Sequence, residues 1–429
     1  MLLEQFARRP GDGILRGADD PAAAKADYRF LENARVSADQ LWRPLHAETE
    51  RRLGRADRVV CIQDSTALMF PGLAATTGLG TVETEREEAL WMHSALAVQP
   101  DGAVLGLLHN HVWARPAAEF GKAAKRKSLP IEAKESFKWL RALRAVQAAR
   151  DRSAPETRLV HVFDREGDVH EVLAEMAAGP DDAVIRCVRN RKVDGPYGYI
   201  RATLAAQPVL ERSEIVVPRR RQQPSRTAVV ERRSVTGMVI TPPAVYSDRE
   251  PVTINAVWVY EPNPPANTKP LDWLLLTTLP VDTAAACQEV VKLYKLRWLI
   301  EEFHLVLKSG CGIEATQLKT AERIEKLLVL LCAVAVRLLA LRQKSRLDPD
   351  ASCTEILDED EWRVLWIATH KGRLHTGRSP PTVLEAVRMI GRLGGHLGRK
   401  GDGPPGVRVL WRGWRDLDLL VTGYRAGRS

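Results

Sequence analysis

The sequence predicts an α/β core with an antiparallel β insertion, a helical N-terminal region and a helical C-terminal domain. Two observations indicate the core: apolar β-type runs at 59–62 and 159–163 each lead to an aspartate, and a helical pattern separates the second run from a strand at 183–188. The insertion is indicated by residues 196–280, which hold short β-rich runs and many prolines.

Composition narrows the class of protein. The 429 residues include 63 Lys and Arg against 54 Asp and Glu, a formal charge of +9, and 45% are apolar, enough for packed cores. The longest apolar run, 327–336, is half of what a membrane span needs, and residues 1–15 lack the apolar core of a secretory signal. The six cysteines form no C-x-x-C pair. We expect a soluble cytoplasmic protein, basic enough to bind nucleic acid.

The N-terminal region, 1–55, has a polar, helical pattern. Ser37 and Gln40 have the spacing of a capping box, which predicts a helix from Ala38. Pro44 is expected to kink or interrupt that helix. A hairpin with strands at 91–98 and 103–108 should follow the first strand.

Helices are predicted at 132–150, 169–177, 284–309 and 320–345, and short helices around a Gly-rich basic loop, 391–403, in the tail. The predicted organisation is 1–55, a partial N-terminal DNA-binding region; 56–195, the first part of the core; 196–280, the β insertion; 281–345, the second part of the core; and 346–429, a helical dimerisation domain.

Asp64 and Asp164 follow the two apolar runs, each on the face that alternate apolar residues of its strand share. A carboxylate at the end of a buried strand is costly unless it is paired or bound to a metal. Each aspartate alone could be an ordinary turn-capping residue. Together they could converge on a hard cation such as Mg²⁺, which prefers carboxylate oxygens.

The helix predicted at 284–309 carries a polar stripe. At about 100° per residue, Tyr294, Arg297, Glu301 and Lys308 fall within about 60° of one another, whereas Glu302 falls well away from them. The spacing favours Glu301 over Glu302 as the inward-facing acid. A solvated face with an i,i+4 pair between Arg297 and Glu301 explains the pattern equally well.

These residues resemble a known family. The spacing Tyr294-x2-Arg297-x3-Glu301-x6-Lys308 is similar to the Tyr-Arg-Glu-Lys signature of the DDE transposases of the insertion-sequence-four family. Further segments resemble that family in the same order, from about Tyr28 to the C-terminus; among them are CIQDST (61–66), FDREGDVH (163–170) and LWRGWRDL (410–417).

The resemblance implies a ribonuclease-H-like catalytic core that is interrupted by the β insertion. It implies that Asp64, Asp164 and Glu301 are catalytic and hold two divalent ions, Mg²⁺ with Mn²⁺ as a substitute. One ion would activate the attacking oxygen and the other would stabilise the leaving oxygen. The implied activity is cut-and-paste transposition, in which end cleavage is followed by hairpin formation and strand transfer.

The resemblance also implies contacts with double-stranded DNA, both transposon ends and target. Arg186, Tyr294, Arg297 and Lys308 are similar to residues that contact the DNA backbone. Trp273 is similar to a tryptophan on which a flipped base stacks; by itself it reads as a core residue.

A homodimer is expected on DNA, and no membrane contact. In the C-terminal helix an apolar stripe has a/d-like spacing. It could dock on its own domain, but the resemblance favours pairing of two copies. The stripe consists of Leu410, Trp414, Leu417, Val421 and Tyr424.

Two rival functions remain open. A plain metal-dependent nuclease would not need Trp273 or the Tyr-Arg-Glu-Lys stripe. Relative to the family the chain begins late, so it could instead be an N-terminally truncated regulator that binds DNA, pairs with a full-length transposase and inhibits it. A zinc site at His109 and His111 lacks an evident third ligand.

Overall fold

The computed structural model describes residues 2–9, 11–18, 20–73, 75–82, 88–116, 129–217, 225–242, 249–399 and 402–428. The chain divides into two compact units. The first unit consists of Met1–Arg52, Ser65–Gly121 and Leu299–Ser429, and the second of Leu53–Asp64 and Lys122–Trp298.

In the described residues four helices precede the first strand, and six helices follow the last strand. The strands are β1 (Arg58–Met69), β2 (Ala89–Val98), β3 (Val104–Trp113), β4 (Arg158–Phe163), β5 (Asp182–Arg186), β6 (Glu211–Val217), β7 (Arg226–Ile240), β8 (Val252–Tyr260) and β9 (Asp272–Thr277). The helices are α1 (Leu2–Arg8), α2 (Ile14–Gly17), α3 (Pro21–Glu32), α4 (Ala38–Leu53), α5 (Phe137–Ser153), α6 (His170–Ala178), α7 (Ile200–Ala205), α8 (Ala284–Lys295), α9 (Trp298–Leu305), α10 (Ala321–Leu347), α11 (Glu359–Thr369), α12 (Val383–Leu393) and α13 (Val407–Ala426).

The second unit is built on a mixed sheet with the strand order β1–β4–β5–β9–β8–β7–β6. Strands β1, β4 and β5 are parallel, and the remaining pairs are antiparallel. The parallel strands are continuous apolar runs because both of their faces are buried. Side chains of α5 and α6 pack on one face, where Trp139, Leu143 and Met176 meet Phe163 and Ile185.

The antiparallel strands β6 to β9 lie within the predicted insertion, 196–280. The sequence suggested that this insertion is distinct from the α/β core. In the structure β9 pairs with β5, so the insertion continues the sheet of the core. This mixed α/β architecture is consistent with the ribonuclease-H-like core that the resemblance implies.

The first unit contains the β2–β3 hairpin, whose turn is closed by a bond from the Gln99 amide to the Ala103 carbonyl, 2.8 Å long. The capping box that predicted a helix from Ala38 is present. The Ser37 amide donates to Oε1 of Gln40 at 2.9 Å, and the Gln40 amide donates to the Ser37 hydroxyl at 3.2 Å. Helix α4 runs through Pro44, so of the two predicted effects the interruption is wrong and the kink stays a prediction. A proline removes one backbone bond, and Trp42 and Thr49, buried on either side, hold the helix.

The single helix predicted at 284–309 is also wrong. It is divided into α8, α9 and a π-helical segment, Val306–Gly310. Helix α8 ends in i→i−3 bonds, from the Leu296 amide to the Leu293 carbonyl and from the Arg297 amide to the Tyr294 carbonyl. Such bonds tighten the last turn, so a constant 100° advance does not carry from α8 into α9.

The C-terminal apolar stripe is mostly covered within its own unit. Leu410, Trp414, Leu417 and Val421 are buried, and α13 packs against α11 and α12. The prediction that this stripe forms the pairing face is therefore wrong for these four side chains. Their spacing identified the core-facing side of the helix.

All six cysteines are buried and free of disulfides. In the part of the chain that the structure describes, no helix combines the length and the apolar character that crossing a membrane requires. Two residues of the predicted basic loop, 400 and 401, lie outside the described residues.

Candidate active site

Asp64 and Asp164 occupy equal positions on adjacent parallel strands of the second unit. Strands β1 and β4 pair in register from Arg58 with Arg158 to Gln63 with Phe163, and the two aspartates come next in each chain. Neighbouring strands are about 4.8 Å apart, and residues at equal register positions face the same side. The sheet therefore brings the two predicted carboxylates side by side.

The two strands differ in where they end. Strand β4 ends at Phe163, but β1 continues to Met69, so the prediction that the first strand ends at Asp64 is wrong. Asp164 caps the 3₁₀ turn Arg165–Gly167, and its carboxylate accepts a bond of 2.8 Å from the Glu166 amide. Burial raises the pKa of Asp164, because the ionised carboxylate loses water; this amide and the Arg297 charge oppose the rise.

Arg297 lies beside both carboxylates. Its Nη1 atom is 3.7 Å from Oδ2 of Asp64, in a pair in which both side chains are mostly shielded from solvent. Its charge also acts on the pKa of Asp164. The guanidinium thus offsets part of the negative charge that the two aspartates bring together.

Tyr294 and Trp273 adjoin this pair. Their rings meet edge to face, with centroids 5.7 Å apart and planes at 67°. Tyr294 is buried, and burial raises the pKa of its hydroxyl, whereas the charges of Arg297 and Arg186 lower it. Trp273 is half-buried at the start of β9.

Arg186 ends β5 and is also buried. Its Nη2 atom donates to the backbone carbonyl of Asp272. Burial lowers the pKa of Arg186, and nearby Tyr294 raises it. The second unit therefore assembles six of the predicted site residues into one contiguous cluster: Asp64, Asp164, Arg186, Trp273, Tyr294 and Arg297.

Two supporting groups were not predicted from the sequence. The carboxylate of Asp272 accepts bonds of 3.1 and 2.9 Å from Arg201 and one of 2.7 Å from the Trp258 indole. This anchors the residue directly before Trp273. The adjacency of Asp272 to Trp273 was the available signal, but its partners lie 71 and 14 residues away along the chain.

The second supporting group is the buried pair of Asp168 and Arg191. The Asp168 carboxylate accepts from Arg191 Nε at 2.7 Å and from the amides of Val188 and Arg189 at 3.1 and 3.4 Å. It ties the turn after Asp164 to the loop after β5.

Glu301 and Lys308 belong to the first unit. Glu301 is half-buried in the first turn of α9. Lys308 lies in the π-helical segment, with Nζ 3.7 Å from Oε1 of Glu314, an oxygen that also accepts from the Met69 amide at 2.9 Å. Their proximity in the predicted stripe rested on one regular helix, which the structure does not contain.

Glu302 is the more buried of the two adjacent glutamates, with 7% of its surface exposed. It forms an ion pair with Arg342 of α10. The helical spacing that favoured Glu301 over Glu302 as the inward-facing acid did not indicate this burial.

The donors in the second unit suit a hard divalent cation. Two aspartates follow paired positions of adjacent strands, and one of their carboxylates is desolvated, so a cation there would favour its ionised form. Within the described ranges, no group of three or more His, Cys, Asp and Glu side chains is arranged to hold a metal ion, and this includes His109 and His111.

Comparison with protein-family models gives two matches. A transposase DDE domain matches residues 136–337, a range that includes every predicted site residue except Asp64. A transposase Tn5 dimerisation domain matches residues 333–429. The Tyr-Arg-Glu-Lys assignment to the insertion-sequence-four family stays a prediction. The chain thus carries a DDE transposase domain followed by a Tn5-type dimerisation domain, which together support its assignment as a Tn5-like DDE transposase.

Proposed function

We propose that this chain catalyses cut-and-paste transposition of DNA by metal-dependent phosphoryl transfer: end cleavage, hairpin formation and strand transfer. The observation that carries the proposal is the Asp64–Asp164 pair with Arg297 beside it, on adjacent parallel strands. The matched DDE domain supports the same chemistry. The three steps all transfer a phosphoryl group, so a single site serves them in turn.

Asp64, Asp164 and Glu301 would hold the divalent ions, two Mg²⁺ or, in their place, Mn²⁺. The two aspartates suit this role because they follow paired positions of adjacent parallel strands. Glu301 is assigned from the family resemblance. When bound, the ions supply activation of the attacking oxygen and stabilisation of the leaving oxygen.

Arg186, Tyr294, Arg297 and Lys308 would bind the DNA backbone around the scissile phosphate. Phosphoryl transfer depends mostly on positioning and on neutralising charge, which suits a cluster of cations next to the carboxylates. Without DNA, Arg297 neutralises Asp64. A bound phosphate would compete for that guanidinium and align beside the carboxylates.

Trp273 would receive a flipped base during hairpin formation. Unstacking a base costs a few kcal/mol, which stacking on an indole offsets. Two sets of contacts fix the position of the Trp273 ring. Tyr294 packs edge-on against it, and the preceding residue, Asp272, is bonded by Arg201 and Trp258.

The chain would act as a homodimer on transposon ends and target DNA. The matched dimerisation domain supports pairing. Because the apolar stripe of α13 is buried in its own unit, we assign pairing to the opposite side of that helix. Leu419 lies there, 52% exposed, and Leu420, 43% exposed, lies at the edge of that side.

The proposal is tested with Asp64→Asn, Asp164→Asn and Glu301→Gln in the full chain. Each should abolish Mg²⁺-dependent cleavage of DNA that carries the element's terminal repeats, while DNA binding persists. Glu156→Gln removes an exposed acid from the second unit and serves as the control. Near-normal nicking by any of the three variants would contradict the assignment. A wild-type chain that binds DNA and cleaves none would fit the inhibitor role instead.

A further inference from the structure

The loop that follows α11 in the first unit, Lys371–Arg378, has a fixed direction. Lys371 and Gly372 both adopt the left-handed conformation, with φ of 55° and 79°. The turn is closed by a bond of 3.0 Å from the Gly372 amide to the Ile367 carbonyl and one of 3.2 Å from the Arg373 amide to the His370 carbonyl. The chain therefore leaves the helix along one defined path.

Aromatic contacts anchor the base of this loop. His375 packs edge-on against Trp366 and Trp362, with centroids 4.4 and 5.5 Å away. His370 stacks on Trp366 at 3.8 Å. These contacts hold the start and the middle of the Lys371–Arg378 loop against α11.

The loop combines exposed cations with an exposed apolar side chain. Leu374 is 73% exposed. Lys371, Arg373 and Arg378 are exposed as well, and among the described residues none of these three has an ion-pair partner. Leu374 therefore leaves apolar surface in water, which is unfavourable, next to cations that have no ion-pair partner among the described residues.

Two other cations of the same domain are neutralised. Arg363 pairs with Glu359 at 2.6 Å, and Arg425 pairs with Asp358 at 2.8 Å. The sequence from 362 to 384 contains no Asp or Glu at all. The positive charge of the loop is therefore a local excess, which a partner can neutralise.

We propose that the Lys371–Arg378 loop is a DNA-contact surface on the dimerisation domain. The three cations bind backbone phosphates of duplex DNA, and Leu374 enters the minor groove between them. Release of counterions from the phosphates supplies the affinity. Apolar side chains beside cations are the residues that proteins place in minor grooves. The inference rests on the proposed function, since a transposase holds DNA in more places than its catalytic centre.

Binding of a fluorescent duplex of mixed sequence to the full chain, measured by anisotropy over a range of salt concentrations, tests this. In the triple variant Lys371→Gln, Arg373→Gln, Arg378→Gln, the slope of log affinity against log salt should fall by about 2.7, because each lost phosphate contact removes about 0.9. The matched control Arg363→Gln, Arg425→Gln, Arg428→Gln removes the same charge from cations that pair with Glu359, Asp358 and Asp360, and it should keep the wild-type slope.

Leu374→Ser gives an independent readout. It should lower the affinity for DNA about tenfold and leave the slope unchanged, because it removes an apolar contact that is buried on DNA binding and no phosphate contact. A triple variant with the wild-type slope would overturn the inference. If that variant instead lost self-association in sedimentation, the loop would belong to the contact between two copies.

The failure of this inference is distinguishable from failure of the proposed function. A wild-type chain that binds no duplex at all contradicts the proposed function. A wild-type chain that binds and cleaves DNA, with an unchanged slope in the triple variant, contradicts only the role of the loop.

Discussion

Trp273 is the site residue whose role is easiest to isolate, because hairpin formation is a step of its own. Trp273→Ala should stall the reaction after the first strand is nicked. Removing a stacked base costs about 1–3 kcal/mol, roughly a 5-fold to 160-fold loss in that step. The products can be resolved on a denaturing gel.

Trp273→Phe is the matched control, since it keeps an aromatic face beside Tyr294. It should retain more hairpin product than the alanine variant. If the ratio of hairpin to nicked DNA stays at the wild-type value in Trp273→Ala, the residue is part of the core of β9 and nothing more.

Helices α9 and α10 share the buried Glu302–Arg342 pair, so a change there acts on packing. Glu302→Gln leaves the Arg342 cation in a mostly shielded position without its partner. Breaking a buried pair in this way costs about 3–5 kcal/mol. We expect a clear drop in stability against unfolding by urea.

The double variant Glu302→Gln, Arg342→Gln is the control, because it removes both charges. It should be more stable than either single variant. Equal losses in the single and double variants would mean that the pair contributes little and that the volume of the side chains decides.

Helix α10 also carries a pH-dependent contribution to stability. Burial, with Asp39 of α4 and Glu322 nearby, raises the pKa of Glu325 from 4.5 to about 7. A raised carboxyl pKa gives stability that is complete below pH 4.5 and is lost as the pH rises through about 7. Glu325→Gln should therefore raise the melting temperature at pH 8 and leave it unchanged at pH 4.

Glu355→Gln, an exposed acid of the same unit, is the reference for this measurement. A melting temperature of Glu325→Gln that follows the wild type at every pH would show that the carboxyl is solvated in both protonation states.

Local patterns predicted several of these elements and failed where partners are distant. The capping box at Ser37 and the apolar run of β4 are short-range features, and both are present. The break between α8 and α9 has no Gly or Pro to mark it. The burial of Glu302 depends on Arg342, 40 positions further along the chain, which no helical phase can show.

For the whole molecule, pairing of two copies is the property that the face of α13 should control. Leu420→Asp places a charge on the exposed side of that helix and should weaken self-association, measured by sedimentation with end DNA present. Leu417→Asp places the same charge on the buried side and should unfold the domain instead, seen as lost helical circular dichroism.

The two variants separate the faces cleanly. If Leu420→Asp pairs as well as the wild type while its helical signal is intact, the exposed leucines are not the contact. In that case two copies would pair through another surface of the domain matched at 333–429.

Because β1 pairs with β4 in a fixed register, the number of residues between Arg58 and Asp64 decides which face of the sheet the Asp64 side chain occupies. Side chains alternate along a strand, so one residue inserted between Arg58 and Asp64 would turn the carboxylate to the opposite face of the sheet, away from Asp164 and Arg297. Two inserted residues would restore the facing but displace the carboxylate by about 6.6 Å. Substitutions in this segment can change the activity by degrees, whereas a single insertion or deletion should abolish it. We therefore expect length variation in relatives of this chain to be confined to the loops.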